Sequence, residues 1–286
     1  MTENQSSIQD FIAQIERQIL RLAPELVTGL VKPDFAVALS GGSDSTALLM
    51  AMSRLSRAHS WELCAAHINH GTRGEHSWTD EDFCRQLCAR LNIKFKHAQL
   101  KLSPPVSEEQ LRLARYAELE QIAQQTPSNY LLLGHTLDDQ TETMLFNLFR
   151  GTGLVGLKGI SPRRSMGSLT LLRPMLNMQH ADCGRFLEEL KQDWVEDSTN
   201  AENVYTRNYI RHNIIPKIEQ RFPGFQEQAA HLRTIITETE EHLEATAVKV
   251  QTEIQTVLAD QEKRSLAASN ASVCEVWNMS LFNAQA

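Results

Sequence analysis

The chain has 286 residues, a formal net charge of −7, 42% hydrophobic and 22% charged residues. That balance excludes a disordered, collagen-like or repeat-biased chain, and the length leaves room for about two domains. No apolar run approaches the ~18 residues of a spanning helix, and the start MTENQSSIQDF has no basic stretch ahead of an apolar one, so neither a membrane span nor a secretory signal is expected. Five cysteines without a C-x-x-C pair fit a reducing, cytoplasmic setting better than a disulfide scaffold. Charge is unevenly spread: residues 150–221 carry 11 basic against 8 acidic groups, whereas both flanking segments are acidic. The basic groups there are mostly arginines (Arg150, Arg163, Arg164, Arg173, Arg185, Arg207, Arg211 and Arg221), so a polyanionic partner would dock on this segment or the arginines are local surface charge.

In chain order, Ile8, Phe11, Ile12, Ile15, Ile19 and Leu22 have helical spacing and predict an amphipathic first helix. Phe35–Leu39 is a short continuous apolar run bounded by Pro33 and Gly41, the pattern of a strand buried on both faces. A helix at about 45–58, a strand at about 62–68, a helix at about 78–91, a strand at about 93–100, a helix at about 107–125, a strand at Tyr130–Leu133 and a helix at about 138–149 follow. This alternation predicts a doubly wound α/β domain with a parallel sheet, in which Leu145, Leu148 and Phe149 turn the last helix toward the sheet. Residues 150–168 hold five of the thirteen glycines and read as a long flexible loop leaving the sheet. Beyond about 222 the pattern is helical, with Phe225, Ala229, Leu232, Ile236, Leu243, Ala247, Val250, Ile254 and Val257 at three–four spacing. We therefore expect a catalytic domain over 1–221 and a smaller all-helical region over 222–286, either a natural short form or truncated.

Ser40-Gly41-Gly42-Ser43-Asp44-Ser45 lies between the first strand and the next helix. Two glycines let successive N–H groups converge, the helix N-terminus adds its dipole, and three hydroxyls add donors, which together suit a phosphate. The P-loop lysine is missing, and Asp44 would repel phosphate unless a divalent cation such as Mg2+ lies between them; the bland alternative is a glycine turn with a favourable first-turn acid. Further on, His135, Asp138, Asp139 and Glu142 fall where the fourth strand meets its helix, at the edge where open α/β sheets bind ligands. Three carboxylates in five residues repel one another unless a metal or a substrate ammonium lies among them; otherwise Asp138 caps the helix and the other two are solvated. His67, His70 and His76 lack the partners for a zinc shell, and Cys84 and Cys88, four apart on a helix, read as buried thiols. Arg112, Arg115, Arg207 and Arg211 are candidates for phosphate or RNA-backbone contacts, or else surface ion-pair partners. No aromatic stacking platform is visible.

The Ser40–Ser45 segment resembles the signature of the N-type ATP pyrophosphatases, the PP-loop superfamily. Within it, His67-Ile68-Asn69-His70-Gly71-Thr72-Arg73, Glu108 with Arg112, Arg115 and Tyr116, Gly134–Thr143, Arg150–Leu154, Arg173-Pro174, and Glu196–Asn200 followed by Arg207-Asn208 and Arg211 resemble the tRNA(Ile)-lysidine synthetase family. The resemblance covers about residues 34–217 and implies an adenine nucleotide alpha hydrolase-like fold. It implies ATP held by Ser40, Gly41, Gly42, Ser43, Asp44, Ser45 and His67, with chemistry at Asp44, His135, Asp138, Asp139 and Glu142. It also implies tRNA or lysine contacts at His70, Arg73, Glu108, Arg112, Arg115, Arg150, Arg207 and Arg211, and Mg2+ at Asp44 and Asp139. The implied reaction adenylates O2 of the wobble cytidine of a CAU-anticodon isoleucine tRNA, expels pyrophosphate, and joins the ε-amine of free L-lysine to C2 with release of AMP. The amine must lose a proton, and Asp138 or Asp139 would take it. The alternatives are another tRNA-modifying pyrophosphatase such as a thiolase, which generally carries C-x-x-C pairs, and a non-catalytic nucleotide- or tRNA-binding protein. A homodimer is left open.

Overall fold

The computed structural model describes residues 3–27, 33–69, 75–100, 107–126, 128–196 and 206–283. Helix α1 (Glu3–Leu22) precedes β1 (Asp34–Ala38), α2 (Ser43–His59), β2 (Glu62–Asn69), α3 (Glu75–Leu91), β3 (Lys94–Gln99), α4 (Glu108–Gln124), β4 (Tyr130–Leu132) and α5 (Leu137–Phe149). The short helix α6 (Leu154–Leu157), the strands β5 (Arg163–Met166) and β6 (Leu169–Leu172), and α7 (His180–Glu189) come next. A helical turn α8 (Thr206–Tyr209), a π-helical turn over Ile210–Ile214, α9 (Ile215–Arg221) and the 59-residue α10 (Phe225–Asn283) end the described chain.

The strands form one six-stranded sheet in the order β3-β2-β1-β4-β6-β5, parallel except for the antiparallel β5–β6 pair. The expected α/β architecture is what forms, because β1 and β4 are apolar on both faces and must be covered twice. On one side Phe35, Val37, Leu48, Leu49, Met52 and Leu132 pack with Ile15 and Ile19 of α1 and with Phe186 of α7. On the other, Ala36, Ala66, Leu131 and Leu171 pack under Leu119 and Ile122 of α4. Phe11 and Phe186 stack with ring centroids 4.1 Å apart, docking α1 on α7. The chain moves outward from β1 through β2 to β3, then returns to place β4 on the other flank of β1. The switch point lies between the carboxyl ends of β1 and β4, where such sheets bind ligands.

Residues 150–168 are not a loop leaving the sheet. They contain α6 and the edge strand β5, and they are tied down: the buried Gln140 donates to the Lys158 carbonyl at 2.5 Å and accepts from Ile160 N at 2.7 Å. Asn147 donates to the Gly156 carbonyl at 2.8 Å. Gly159 has φ +66°, and a Cβ there would lie 2.6 Å from the Gln140 amide, so this glycine permits close packing as well as a turn. The end of α5 also departs from expectation. Leu145 is buried against Ile210 and Ile215 rather than against the sheet, and Leu148 and Phe149 are 48% and 59% exposed.

By contacts the chain divides into Met1–Arg233 and Thr234–Ala286, a boundary later than the one the composition suggests near 221. The second unit is the continuing α10, on which Leu243, Val248, Val250, Ile254 and Leu258 are exposed. No helix among the described residues is long and apolar enough to cross a membrane.

Candidate active site

The turn after β1 is built by its glycines and hydroxyls. Gly41 has φ +97°, and a Cβ there would lie 3.4 Å from both Cys84 Sγ and Val195 Cγ2. Its carbonyl accepts from Val195 N at 2.9 Å and from Thr46 Oγ1 at 3.1 Å. Ser45 Oγ accepts from Ser40 N at 3.1 Å and donates to the Gly42 carbonyl at 3.1 Å, so the loop is folded back on itself. Gly42 caps α2 without a side-chain hydrogen bond, which leaves the first-turn N–H groups of a 17-residue helix for an anion. The β4–α5 turn closes on this helix start: a Cβ on Gly134 would lie 3.1 Å from Asp44 C and Ser45 N, so a side chain there would press the two turns apart.

That approach brings the acidic cluster beside the cradle. His180, the first residue of α7, joins the two: its Nδ1 donates to Asp44 Oδ1 at 2.7 Å, and its backbone N–H donates to Asp138 Oδ2 at 2.7 Å. The hydrogen bond to Asp44 raises the His180 pKa, against the opposing effect of burial. Asp138 does not cap α5. Thr136 and Asp139 form a capping box, with Thr136 N donating to Asp139 Oδ2 at 2.9 Å. The other Asp139 oxygen accepts from Arg211 at 2.7 Å.

Carboxylates crowded in this way require a cation, and the chain supplies one itself. Arg211, presented by the π-helical turn, donates to Glu142 Oε2 from Nε at 3.0 Å and lies 2.8 Å from it through Nη2. Glu142 is only 5% exposed; burial pushes its pKa up, and Arg211 pulls against that shift. Arg207 lies farther off, with Nε 4.0 Å from Glu142 Oε1, and shares the Phe146 ring with Arg150, their guanidinium carbons 5.2 and 5.1 Å from its centroid. Arg207 and Arg211, alike in sequence, thus have different surroundings.

A second basic group surrounds Tyr116. The guanidinium carbons of Arg112, Arg115 and Arg164 lie 5.7, 5.7 and 5.4 Å from its ring centroid, and Arg173 donates to its hydroxyl at 3.2 Å. Arg173 also donates to His135 Nδ1 at 3.2 Å. Burial lowers the His135 pKa to about 4, with Arg173, Arg115 and Arg207 pushing the same way and Asp139 opposing, so this imidazole is neutral near pH 7. His67, at the end of β2, donates from Nδ1 to the Leu39 carbonyl at 2.8 Å, and burial also holds it neutral.

The basic middle segment therefore separates by role. Arg163 pairs with Glu25 at 2.9 Å and holds the Leu22 carbonyl, and Arg185 pairs with Asp182 on its own helix. Arg150, Arg164, Arg173, Arg207 and Arg211 gather around the β4–α5 region. His70 and Arg73 lie outside the described residues, and Glu108 is the first residue of α4. His180 and the grouping of Arg164 and Arg173 on Tyr116 carry no local sequence signal, since their partners are far away in the chain. Among the described residues no cluster of three or more His, Cys, Asp or Glu side chains forms a metal cage. The described cysteines, Cys64, Cys84, Cys88 and Cys183, are buried, and burial raises the pKa of Cys88 to about 12.

A mostly parallel sheet with a glycine-turned helix start at its switch point, and an acidic helix start packed against that turn, has the architecture of a nucleotide-binding α/β domain. The PP-loop domain family matches residues 12–218, and the chain belongs to that family. Among curated proteins it is 41% identical over 194 residues to the tRNA(Ile)-lysidine synthase of Coxiella burnetii, covering 66% of this chain and 42% of that protein. It is 36% identical over 233 residues to the protein of the same name from Bacteroides thetaiotaomicron, covering 78% and 53%. The chain spans about half the length of these relatives. Among solved structures the U34-tRNA thiolase NcsA of Methanococcus maripaludis shares the fold, with a TM-score of 0.65 at 17% identity over 81% of this chain and 80% of that one.

Proposed function

We propose that this chain carries the nucleotide-activating centre of a lysidine-forming ligase that acts in the cytoplasm. ATP would lie on Ser40–Ser45, with His67 at the edge of its site. The O2 of the wobble cytidine in a CAU-anticodon isoleucine tRNA would attack the α-phosphorus and expel pyrophosphate, and the lysine ε-amine would then displace AMP at C2. The observation that carries this reading is the His180 bridge: one residue contacts both Asp44 in the phosphate cradle and Asp138 in the acidic cluster. A nucleotide on the first is therefore adjacent to an amine held by the second.

Mg2+ fits this donor set as a metal held by one carboxylate together with substrate phosphates, and it would supply charge neutralisation there. Asp44 is the carboxylate that would hold it; Asp139 could join only by giving up Arg211 or the Thr136 cap. The same argument separates the two candidate bases. Both Asp139 oxygens are engaged, whereas Asp138 accepts from His180 N through Oδ2 and, among the described residues, no hydrogen bond reaches its Oδ1. Asp138 is our assignment for binding the lysine ammonium and taking its proton, which has an unperturbed pKa of about 10.4. Glu142 and Arg211 would set the charge of the pocket floor, while Arg112, Arg115, Arg150 and Arg207, with His70, Arg73 and Glu108, would line the tRNA side. Residues 222–286 would help orient the tRNA, and self-association into a homodimer is a separate expectation that light scattering decides.

The test is incorporation of labelled lysine into tRNA with and without ATP. ATP-dependent labelling confined to a CAU-anticodon isoleucine tRNA supports the assignment; sulfur incorporation or no tRNA-dependent AMP release would overturn it. A thiolase reading is disfavoured because the described cysteines are buried and held as thiols.

A further inference from the structure

We propose that Arg173 is a positioning residue that holds His135 in one uncharged tautomer, Nδ1 accepting and Nε2 carrying the hydrogen as a donor to the phosphate-bearing ligand of the site. A guanidinium has five N–H donors and no acceptor, so the 3.2 Å contact from Arg173 Nε can form only if His135 Nδ1 offers a lone pair. The single hydrogen of a neutral imidazole must then be on Nε2. Protonating Nδ1 would set two donors head to head.

The lock is rigid because Arg173 cannot turn away. It follows directly on β6, its backbone N–H donates to the Pro162 carbonyl at 2.9 Å, and its side chain is buried, with 6% exposure. Its other two nitrogens are also committed, Nη1 to the Ser161 carbonyl at 2.5 Å and Nη2 to the Tyr116 hydroxyl at 3.2 Å. Three different elements thus aim one guanidinium. At the other end of the ring, no hydrogen bond to His135 Nε2 exists among the described residues, and that atom is not among the buried unsatisfied ones, so it is open to a ligand. The contrast with His67 is informative. There Nδ1 donates to the Leu39 carbonyl, which leaves Nε2 as a lone pair. One edge of the sheet therefore presents one histidine N–H and one histidine acceptor, with neither ring charged. Arg173 acts through His135 without itself reaching the ligand. The tautomer assignment stands on the contacts alone, and only the identity of the ligand rests on the nucleotide reading above.

The experiment is 15N NMR of the full chain labelled in its histidines, with the His135 signals assigned by their loss in His135→Asn. The expected result is a pyridine-like Nδ1 and a pyrrole-like Nε2 in the parent protein, retained in Arg173→Lys, and a mixture of tautomers in Arg173→Met. ATP titrations of the same proteins should show Kd raised about tenfold in His135→Asn, as for one lost hydrogen bond, and by a smaller factor in Arg173→Met. A parent spectrum with the hydrogen on Nδ1, or a tautomer unchanged in Arg173→Met, overturns the proposal. If Arg173→Met does not fold, the parent and Arg173→Lys spectra decide it. A locked tautomer in a protein that fails to ligate lysine would refute the ligase reading and leave this one standing.

Discussion

Replacing Arg211 with methionine removes the cation that neutralises the acidic cluster while keeping much of the side-chain volume. Its guanidinium is 2.8 Å from Glu142 and 2.7 Å from Asp139, and Glu142 is 5% exposed. Breaking a fully buried ion pair by removing one partner costs about 3–5 kcal/mol, because the remaining charge is left in a poor solvent. The Arg211 side chain is 34% exposed, so water can partly replace it, and we reduce the expected loss to about 2 kcal/mol. Arg207→Met is the control: at 4.0 Å from Glu142, and 36% exposed, its loss should cost less than about 1 kcal/mol. The Glu142 pKa is already raised in the folded chain and should rise further in the variant. A carboxyl with a raised folded-state pKa ionises first in the unfolded state, so its contribution falls as pH rises through the carboxylate range and beyond. The deficit of Arg211→Met should therefore be largest near pH 8 and shrink toward pH 5, and adding Glu142→Gln should recover most of it. Urea unfolding at several pH values measures all of this. A deficit no larger than that of Arg207→Met, or one independent of pH, would refute the view that Arg211 is the internal counter-ion.

Asp44→Asn should abolish tRNA-dependent formation of AMP and pyrophosphate, and product analysis that finds ADP and phosphate in the parent protein would remove the pyrophosphatase assignment. His135, depressed to about 4 when folded against about 6.5 when unfolded, contributes stability that is present above 6.5 and lost as pH falls toward 4. His135→Asn should remove that slope, at most about 3 kcal/mol across the window by urea unfolding. Gln140→Ala should free the segment around Lys158–Ile160, with hydrogen exchange there rising while β1 and β4 stay protected, at a cost of about 1–3 kcal/mol. Ending the chain after Arg233 should leave ATP binding intact and reduce lysine incorporation, and equal incorporation by the shortened protein would remove residues beyond 233 from tRNA orientation.

Much of the α/β framework was legible because its signals are local. Phe35–Leu39 and Tyr130–Leu133 are apolar on both faces, and the glycines of Ser40–Ser45 have meaning in any chain that must turn there after a strand. The acidic segment could likewise be placed at the sheet edge from its position after the fourth strand. The periodicity of α5 shows an apolar side but not what covers it: Ile210 and Ile215, far along the chain, bury Leu145, while Leu148 and Phe149 stay exposed. Residues 150–168 read as loose because their restraint is Gln140, whose two hydrogen bonds are invisible to composition. The sequence by itself also posed the charge problem of Asp138, Asp139 and Glu142, since like charges at helical spacing repel whatever surrounds them. Only the tertiary structure decided its answer. The counter-ion is Arg211, 69 residues beyond Glu142, and His180 bridges to Asp44, 136 residues away. Contacts over such separations depend on which helices and strands pack together, and that information resides in the shared core rather than in any window of the chain.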